Sequence, residues 1–152
     1  MKILVMMLVV FAATIASAQA QTTVSDADKA AITQTALDYL EGWYAGDTER
    51  MERSLHPELA KRIVRTNAQG QSRLEQMGAM TLVQYTRRGF GKSTPKDKQQ
   101  KDVTILDVFE NAASVKAVAT DWIDYLHVAK FNGKWVIVNV LWEMKPKKED
   151  SK

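Results

Sequence analysis

The sequence predicts an α+β domain, because helical and strand periodicity occupy different parts of the chain. Between residues 26 and 45, apolar side chains recur on one stripe of a helix: Ile32, Ala36, Tyr39, Leu40 and Trp43. Residues 103–142 instead hold β-rich runs separated by turn signals. Strands and helices do not alternate, so the pattern favours helices that are segregated from the sheet.

Capping residues delimit the first two helices. Ser25 is a predicted N-cap with the acidic Asp28 three residues later, and Gly46 suits a helix C-terminus. Asp47 then caps a short second helix over 48–55, which a following proline prevents from continuing.

The middle of the chain predicts a hairpin and a third helix. Residues 59–76 contain the turn signal Asn67–Gly70 and are interpreted as a short, peripheral β-hairpin. Residues 77–88 are rich in helix formers and end before Gly89, which predicts the third helix.

Asn132 and Gly133 separate two apolar runs, the strongest short-range signal for a hairpin. A two-residue turn pairs residue 131 with 134 and sorts the side chains onto two faces. One face would hold Tyr125, His127 and Ala129 with Val136, Val138, Val140 and Trp142, and the other Asp124, Leu126 and Val128 with Trp135, Ile137, Asn139 and Leu141. Both faces of the last strand are largely apolar, so we expect one to pack on the helices and the other to form a homodimer interface.

The N-terminus has the order of a cleavable signal peptide over residues 1–20. A positive charge precedes an apolar segment over 3–15, and small residues lead to a cleavage site after Ala20. The apolar core is too short for a bilayer, which needs roughly 20 residues, so an uncleaved anchor is the weaker alternative. We therefore expect an exported protein, periplasmic or secreted, with a domain over 21–145, a disordered tail over 146–152 and no membrane contact after cleavage.

Composition excludes several classes of site. The chain contains no cysteine, which rules out disulfides, zinc–thiolate sites, iron–sulfur clusters and cysteine nucleophiles. The net charge of +3 is concentrated in 92–101 and 145–148, without the interleaved aromatics of a nucleic-acid groove. Arg87–Gly91 lacks the strand–glycine–helix context of a phosphate loop. We predict no nucleic-acid partner and no cofactor.

Five sequence blocks carry a family resemblance: Gly42–Asp47, Leu55–Leu59, Ile105–Val108, Trp122–His127 and Gly133–Trp142. With the order of the elements, they resemble the nuclear transport factor 2-like superfamily, and within it the group labelled putative lumazine-binding proteins. The resemblance implies a cone-shaped fold in which three N-terminal helices pack on a curved, mainly antiparallel sheet around a cavity. That superfamily includes isomerases, dehydratases, polyketide cyclases and binding domains, so fold alone does not select a function.

The two histidines are candidate site residues. The resemblance implies that His56 lies at the pocket mouth, where a neutral imidazole could act as a general base. The alternative is that its ring orders the turn before Pro57. His127 could face inward and pair with His56 or Asp107, or face outward at a subunit interface. No short-range ligand spacing supports a metal site.

Acidic residues on predicted strands are the other candidates for proton transfer. Asp107 has apolar flanks, and a strand carboxylate that faces a cavity would have a raised pKa. Asp121 and Asp124 are weaker candidates of the same kind, because an edge, a bulge or a solvent-facing position is favoured for them, and Asp121 with Trp122 could mark a bend. Asp107 and His56 are therefore the best catalytic candidates.

Aromatic residues provide the remaining pocket candidates. Tyr39, Trp43, Tyr85, Trp122 and Trp142 could line a pocket for a flat ligand, although core packing is favoured for Trp142 and for Trp135. The predicted ligand-binding set is Tyr39, Trp43, His56, Tyr85, Trp122 and His127.

The sequence leaves three functions open. The leading hypothesis is an exported domain that binds a small molecule without transforming it. The first alternative is an acid/base enzyme, an isomerase or dehydratase, that uses His56 with a tyrosine or aspartate partner. The second is a dimeric interaction domain whose vestigial cavity is filled by Trp43, Tyr85 and Trp122.

Overall fold

The computed structural model describes residues 24–146, which form three helices and six strands. The helices are α1 (Asp26–Ala45), α2 (Thr48–Ser54) and α3 (Ala79–Arg87). The strands are β1 (Leu55–Thr66), β2 (Ser72–Met77), β3 (Lys101–Phe109), β4 (Ala112–Ala119), β5 (Trp122–Phe131) and β6 (Lys134–Met144). The predicted signal peptide and all of the predicted tail after residue 146 lie outside the described residues.

The strands form one curved, mixed sheet in the order β2-β1-β6-β5-β4-β3. Strand β1 runs parallel to β6, whereas the other neighbouring pairs are antiparallel. This corrects two expectations. The predicted peripheral hairpin is part of the central sheet, because β1 begins at Leu55 directly after α2 and reaches the closing strand. The third helix also follows β2, so the helices are not all N-terminal to the sheet.

The predicted caps position α1 and α2. The Ser25 side chain accepts a hydrogen bond from the Asp28 amide, and Gly46 ends α1 with a φ of 65°. Asp47 caps α2 by accepting from the Arg50 amide. The two helices approach closely at Gly42, where an added Cβ would lie 2.9 Å from the Met51 nitrogen. Glycine is therefore required there by the contact between the helices.

The β5–β6 hairpin begins as predicted. Asn132 and Gly133 adopt positive φ values of 49° and 79°, as a type I′ turn requires. Phe131 pairs with Lys134, and the same register continues to Val128 and Ile137.

A β-bulge then shifts the register of β6. His127 pairs with Asn139, which leaves Val138 as an extra residue. Because one extra residue exchanges the two faces, the predicted faces are wrong beyond this point. Trp142 pairs with Asp124 and shares its face.

The core lies between the helices and the inner face of the sheet. Its largest fully buried side chains include Ile32, Leu40, Met51, Leu126 and Ile137. A hydrogen bond links α1 to β6, because the Thr35 hydroxyl donates to the carbonyl oxygen of Trp135 at 3.0 Å. Of the helices within residues 24–146, none has both the length and the apolar composition of a membrane-spanning segment.

Candidate functional site

A cavity of about 280 Å³ lies between α1, α3 and the inner face of the sheet. Strands β1, β5 and β6 and the 3-10 turn Phe90–Ser93 also contribute to it. Its walls carry six aromatic side chains: Tyr39, Trp43, Tyr85, Phe90, Trp122 and Trp142. The lining of the cavity is therefore mainly aromatic and apolar.

The aromatic walls are fixed by contacts with one another. Trp43 and Trp122 meet edge to face, with ring centroids 6.1 Å apart. Tyr85 and Phe90 stack with centroids 5.1 Å apart, so Phe90 remains on the cavity although it is half exposed. Gly91 also lies in close contact with the main-chain carbonyl of Trp43, which limits movement of that residue.

A buried polar cluster adjoins these aromatic walls. Asp124 on β5 is fully buried, and Lys61 on β1 is 5% exposed. Lys61 Nζ donates to Asp124 Oδ1 and, at 2.7 Å, to Tyr39 Oη. Asp124 Oδ2 accepts from Tyr39 Oη at 3.1 Å and from Trp122 Nε1 at 2.6 Å. The carboxylate thus has three donors, which compensate for its burial.

Burial shifts the pKa of two members of this cluster. The pKa of Tyr39 lies well above its ordinary value, first because of burial and then because of the charge of Asp124 and the hydrogen bond to it. Burial lowers the pKa of Lys61 from its ordinary value of 10.5, and the charge and hydrogen bond of Asp124 oppose that change. Tyr39 therefore stays a neutral phenol at neutral pH, between an ammonium group and a carboxylate.

Trp142 contributes an unused hydrogen-bond donor. Its ring lines the cavity, and Lys61 Nζ lies 4.7 Å from the ring centroid. Its Nε1 atom is buried but has no hydrogen-bond partner among the described residues. An unpaired buried N–H costs about 1–3 kcal/mol.

The structure brings four predicted pocket residues together: Tyr39, Trp43, Tyr85 and Trp122. Trp142, for which core packing was favoured, joins them because the bulge at Val138 turns it inward.

Neither histidine lines the cavity. His56 lies at the start of β1, where its ring packs 4.7 Å from that of Phe131 and its Nδ1 accepts from the Glu58 amide. This contact matches the alternative in which the ring orders the local turn. His127 is exposed, because its neighbours Leu126 and Val128 occupy the inner face of β5. The alternative in which His127 faces inward and pairs with His56 or Asp107 is therefore wrong.

Asp107 does not face the cavity either. It is exposed at an irregularity in the edge strand β3, and its Oδ1 accepts from the Val108 amide. The buried strand carboxylate is Asp124, for which an edge, a bulge or a solvent-facing position was favoured over a role in proton transfer.

Sequence reasoning missed the aromatic Phe90 and the charged Lys61. Lys61 lies between Leu59 and Ile63, and all three side chains are buried on one face of β1. This alternation was the available signal, because it places a lysine on an apolar strand face. Across residues 24–146, no group of three acidic or histidine side chains is arranged to hold a metal ion.

Comparison with solved structures agrees with this architecture. A nuclear transport factor 2-like protein of unknown function from Shewanella baltica is 19% identical, with a TM-score of 0.66 over 82% of this chain and 99% of that one. A nuclear transport factor 2-like protein of unknown function from Methylobacillus flagellatus is also 19% identical, with a TM-score of 0.58 over 82% and 97%. At these identities the likeness concerns the fold.

A third structure has the same fold but a different description. A putative Ca/calmodulin-dependent kinase II association domain from Exiguobacterium sibiricum is 14% identical, with a TM-score of 0.57 over 82% of this chain and 98% of that one. We find no match among the curated proteins. One family model, described as putative lumazine-binding, matches residues 27–143. The fold is that of nuclear transport factor 2-like proteins, and the chain belongs to the putative lumazine-binding family.

Proposed function

We propose that this protein binds a small, flat, mainly apolar molecule that carries a hydrogen-bond acceptor. The observation that carries the proposal is the buried N–H of Trp142, which has no partner and belongs to a ring on the cavity wall. The Nε1 atom is closed to solvent in this structure, so a ligand that turns the ring until this N–H meets an acceptor would recover the free energy that the unpaired donor costs.

The size and lining of the cavity limit the ligand. Drug-sized molecules occupy pockets of about 300–1,000 Å³, and this cavity of about 280 Å³ lies just below that range. A molecule of one or two fused rings is therefore the best match. Aromatic walls favour a planar ring system, and lumazine, which the family description names, belongs to that class.

Two observations favour binding over the alternatives. An acid/base enzyme that uses His56 receives no support, because that ring packs on Phe131 away from the cavity. A vestigial cavity would be filled by Trp43, Tyr85 and Trp122, yet these side chains surround open volume.

A matched pair of ligands tests the proposal. Acetylnaphthalene and ethylnaphthalene have similar shapes, but only the first has a carbonyl acceptor. In titrations that follow tryptophan fluorescence, we expect acetylnaphthalene to bind about 5–10-fold more tightly, as one added hydrogen bond predicts. Lumazine is titrated in parallel. Failure of all three molecules to bind would overturn the proposal.

We also propose that the protein is a homodimer that associates through the outer face of its sheet. Tyr125 and Leu141 are cross-strand partners on that face, and they are 47% and 50% exposed. A charge in such an apolar interface should prevent association. Light scattering should therefore find a dimer for the wild type and a monomer for Tyr125→Glu. Met80→Glu, on the exposed side of α3, is the control that should remain dimeric.

Export remains a proposal that rests on residues 1–20. Expression of the full chain in a bacterial host, followed by N-terminal sequencing, tests it. We expect a mature protein that begins at Gln21 and is found outside the cytoplasm. An intact N-terminus in the cytoplasmic fraction would contradict export.

A further inference from the structure

We propose that Lys61 captures conjugated aldehydes or ketones in the cavity as a protonated Schiff base, an inference that rests on the binding function proposed above. The ligand class is thereby narrowed from any acceptor-bearing molecule to aromatic carbonyl compounds. The geometry that carries the inference is a buried lysine amine that lines an aromatic cavity beside a carboxylate and a phenol.

The position of Lys61 sets it apart from the other lysines. Among the lysines of residues 24–146, only Lys61 is buried. Its side chain lines the cavity, so a ligand inside would lie beside Lys61. An apolar environment also lowers the pKa of the amine and favours the nucleophilic, neutral form.

The reaction balances without another reactant. A proton passes from Lys61 Nζ to Asp124, and the freed lone pair attacks the carbonyl carbon. The carbonyl oxygen then takes up two protons and leaves as water, while a C=N bond forms. In total, an ammonium group and a carbonyl give a protonated imine and water, and Asp124 ends as a carboxylate.

The surroundings of Lys61 suit the product as well as the starting amine. The imine keeps the single positive charge, so Asp124 remains its counter-ion. The rings of Trp142 and Tyr39, whose centroids lie 4.7 and 5.4 Å from Nζ, still face a cation. Conjugation spreads the charge into the ligand, which reduces the cost of its burial.

Tyr39 is placed to move protons during this reaction. Its hydroxyl accepts from Lys61 Nζ and donates to Asp124 Oδ2, so it joins the two groups between which the proton passes. The raised pKa keeps this hydroxyl protonated. Tyr39 is thus assigned a positioning and relay role, whereas Lys61 forms the bond.

Reductive trapping with naphthaldehyde tests the proposal. The purified protein is mixed with one equivalent of naphthaldehyde and cyanoborohydride, and labelled peptides are quantified by mass spectrometry. We expect Lys61 to be labelled at least about tenfold faster than any exposed lysine, because the bound aldehyde is held beside it. Excess ethylnaphthalene, which cannot react, should protect Lys61 by occupying the same cavity.

Variants distinguish a reactive lysine from a structural one. Lys61→Met alone leaves the Asp124 carboxylate buried without its cation, which would destabilise the fold. The double variant Lys61→Met/Asp124→Asn removes both charges, so it should fold more stably and is the better test. It should lose the rapid label but still bind ethylnaphthalene. Lys130→Met removes a lysine whose partner is Asp28 and should leave the rapid label unchanged.

The outcomes separate this inference from the proposed function. If naphthaldehyde binds by fluorescence but Lys61 is labelled no faster than exposed lysines, covalent capture is wrong and the binding function stands. If naphthaldehyde, acetylnaphthalene, ethylnaphthalene and lumazine all fail to bind, both proposals are wrong.

Discussion

Lys61 and Asp124 form a buried ion pair that crosses a strand, because β6 separates β1 from β5. On β6, Val140 is the partner of Lys61, and Trp142 is the partner of Asp124. Tyr39 joins the pair from α1. One polar cluster thus joins β1, β5 and α1 across β6 beside the cavity.

Removing the charge of Asp124 should strongly destabilise the fold. Asp124→Asn leaves the Lys61 ammonium buried without a counter-ion, and breaking such a pair typically costs about 3–5 kcal/mol. We expect a loss of that size in the free energy of unfolding, measured by urea denaturation at neutral pH.

Two variants serve as comparisons for Asp124→Asn. Glu75→Gln breaks an exposed pair with Arg73, so the free energy of unfolding should fall by less than about 1 kcal/mol. Lys61→Met/Asp124→Leu removes both buried charges and should be more stable than Asp124→Asn. Equal losses of unfolding free energy for Asp124→Asn and Glu75→Gln would show that the buried pair stabilises the fold no more than the exposed pair does.

Local signals were sufficient for the parts of the fold that local chemistry determines. The ends of α1 follow from the Ser25 cap and from Gly46, and the β5–β6 turn follows from Asn132 and Gly133. Tyr39 and Trp43 were named as pocket candidates because the family resemblance implies helices around a cavity, and both side chains line the cavity.

Features that depend on distant pairing could not be predicted in the same way. The parallel contact of β1 with β6 joins segments far apart in sequence. The bulge at Val138 has no local signature, yet it decides that Trp142 faces inward. Lys61 was overlooked because neighbouring basic residues made its segment resemble a solvated surface, although its alternation with Leu59 and Ile63 was visible.

Stability at acid pH should depend on Asp28. Hydrogen bonds from Lys130, Trp135 and Ser25 lower its pKa from 3.8 to about 2. The unfolded chain therefore takes up this proton at a higher pH than the folded protein does. The stabilising contribution is present above pH 3.8 and is lost as the pH falls toward about 2.

Urea midpoints measured from about pH 5 down to about pH 2 check this linkage. The midpoint should fall less steeply for Asp28→Asn than for the wild type. Asp26→Asn removes the same charge from the same helical turn and reports the effect of net charge alone. Identical slopes for Asp28→Asn and the wild type would contradict the assignment.

Gly91→Ala should loosen the segment beside the cavity. An added Cβ would lie 2.2 Å from the main-chain oxygen of Trp43 and 2.6 Å from its Cδ1. Since the backbone of α1 cannot easily yield, we expect a loss of about 1–3 kcal/mol in the free energy of unfolding and altered tryptophan fluorescence. Gly78→Ala is the matched control, because its nearest neighbour would be 3.7 Å away, and it should lose less than about 1 kcal/mol. Similar losses in the two variants would show that the contact with Trp43 is unimportant.

Trp142→Phe should separate ligand affinity from stability. The phenyl ring keeps an aromatic face toward Lys61, and the variant no longer buries an unpaired N–H. Removing the cost of this N–H offsets part of the apolar contact that the smaller ring loses, so we expect the free energy of unfolding to change by no more than about 1 kcal/mol.

In the same variant, acetylnaphthalene should bind about 5–10-fold more weakly, since its carbonyl loses a donor. The affinity for ethylnaphthalene should stay unchanged, because that molecule never used the N–H. Fluorescence of the remaining Trp43 and Trp122 reports both titrations. Equal weakening of the two ligands would mean that Trp142 acts only through its shape, and a donor role for its indole would be wrong.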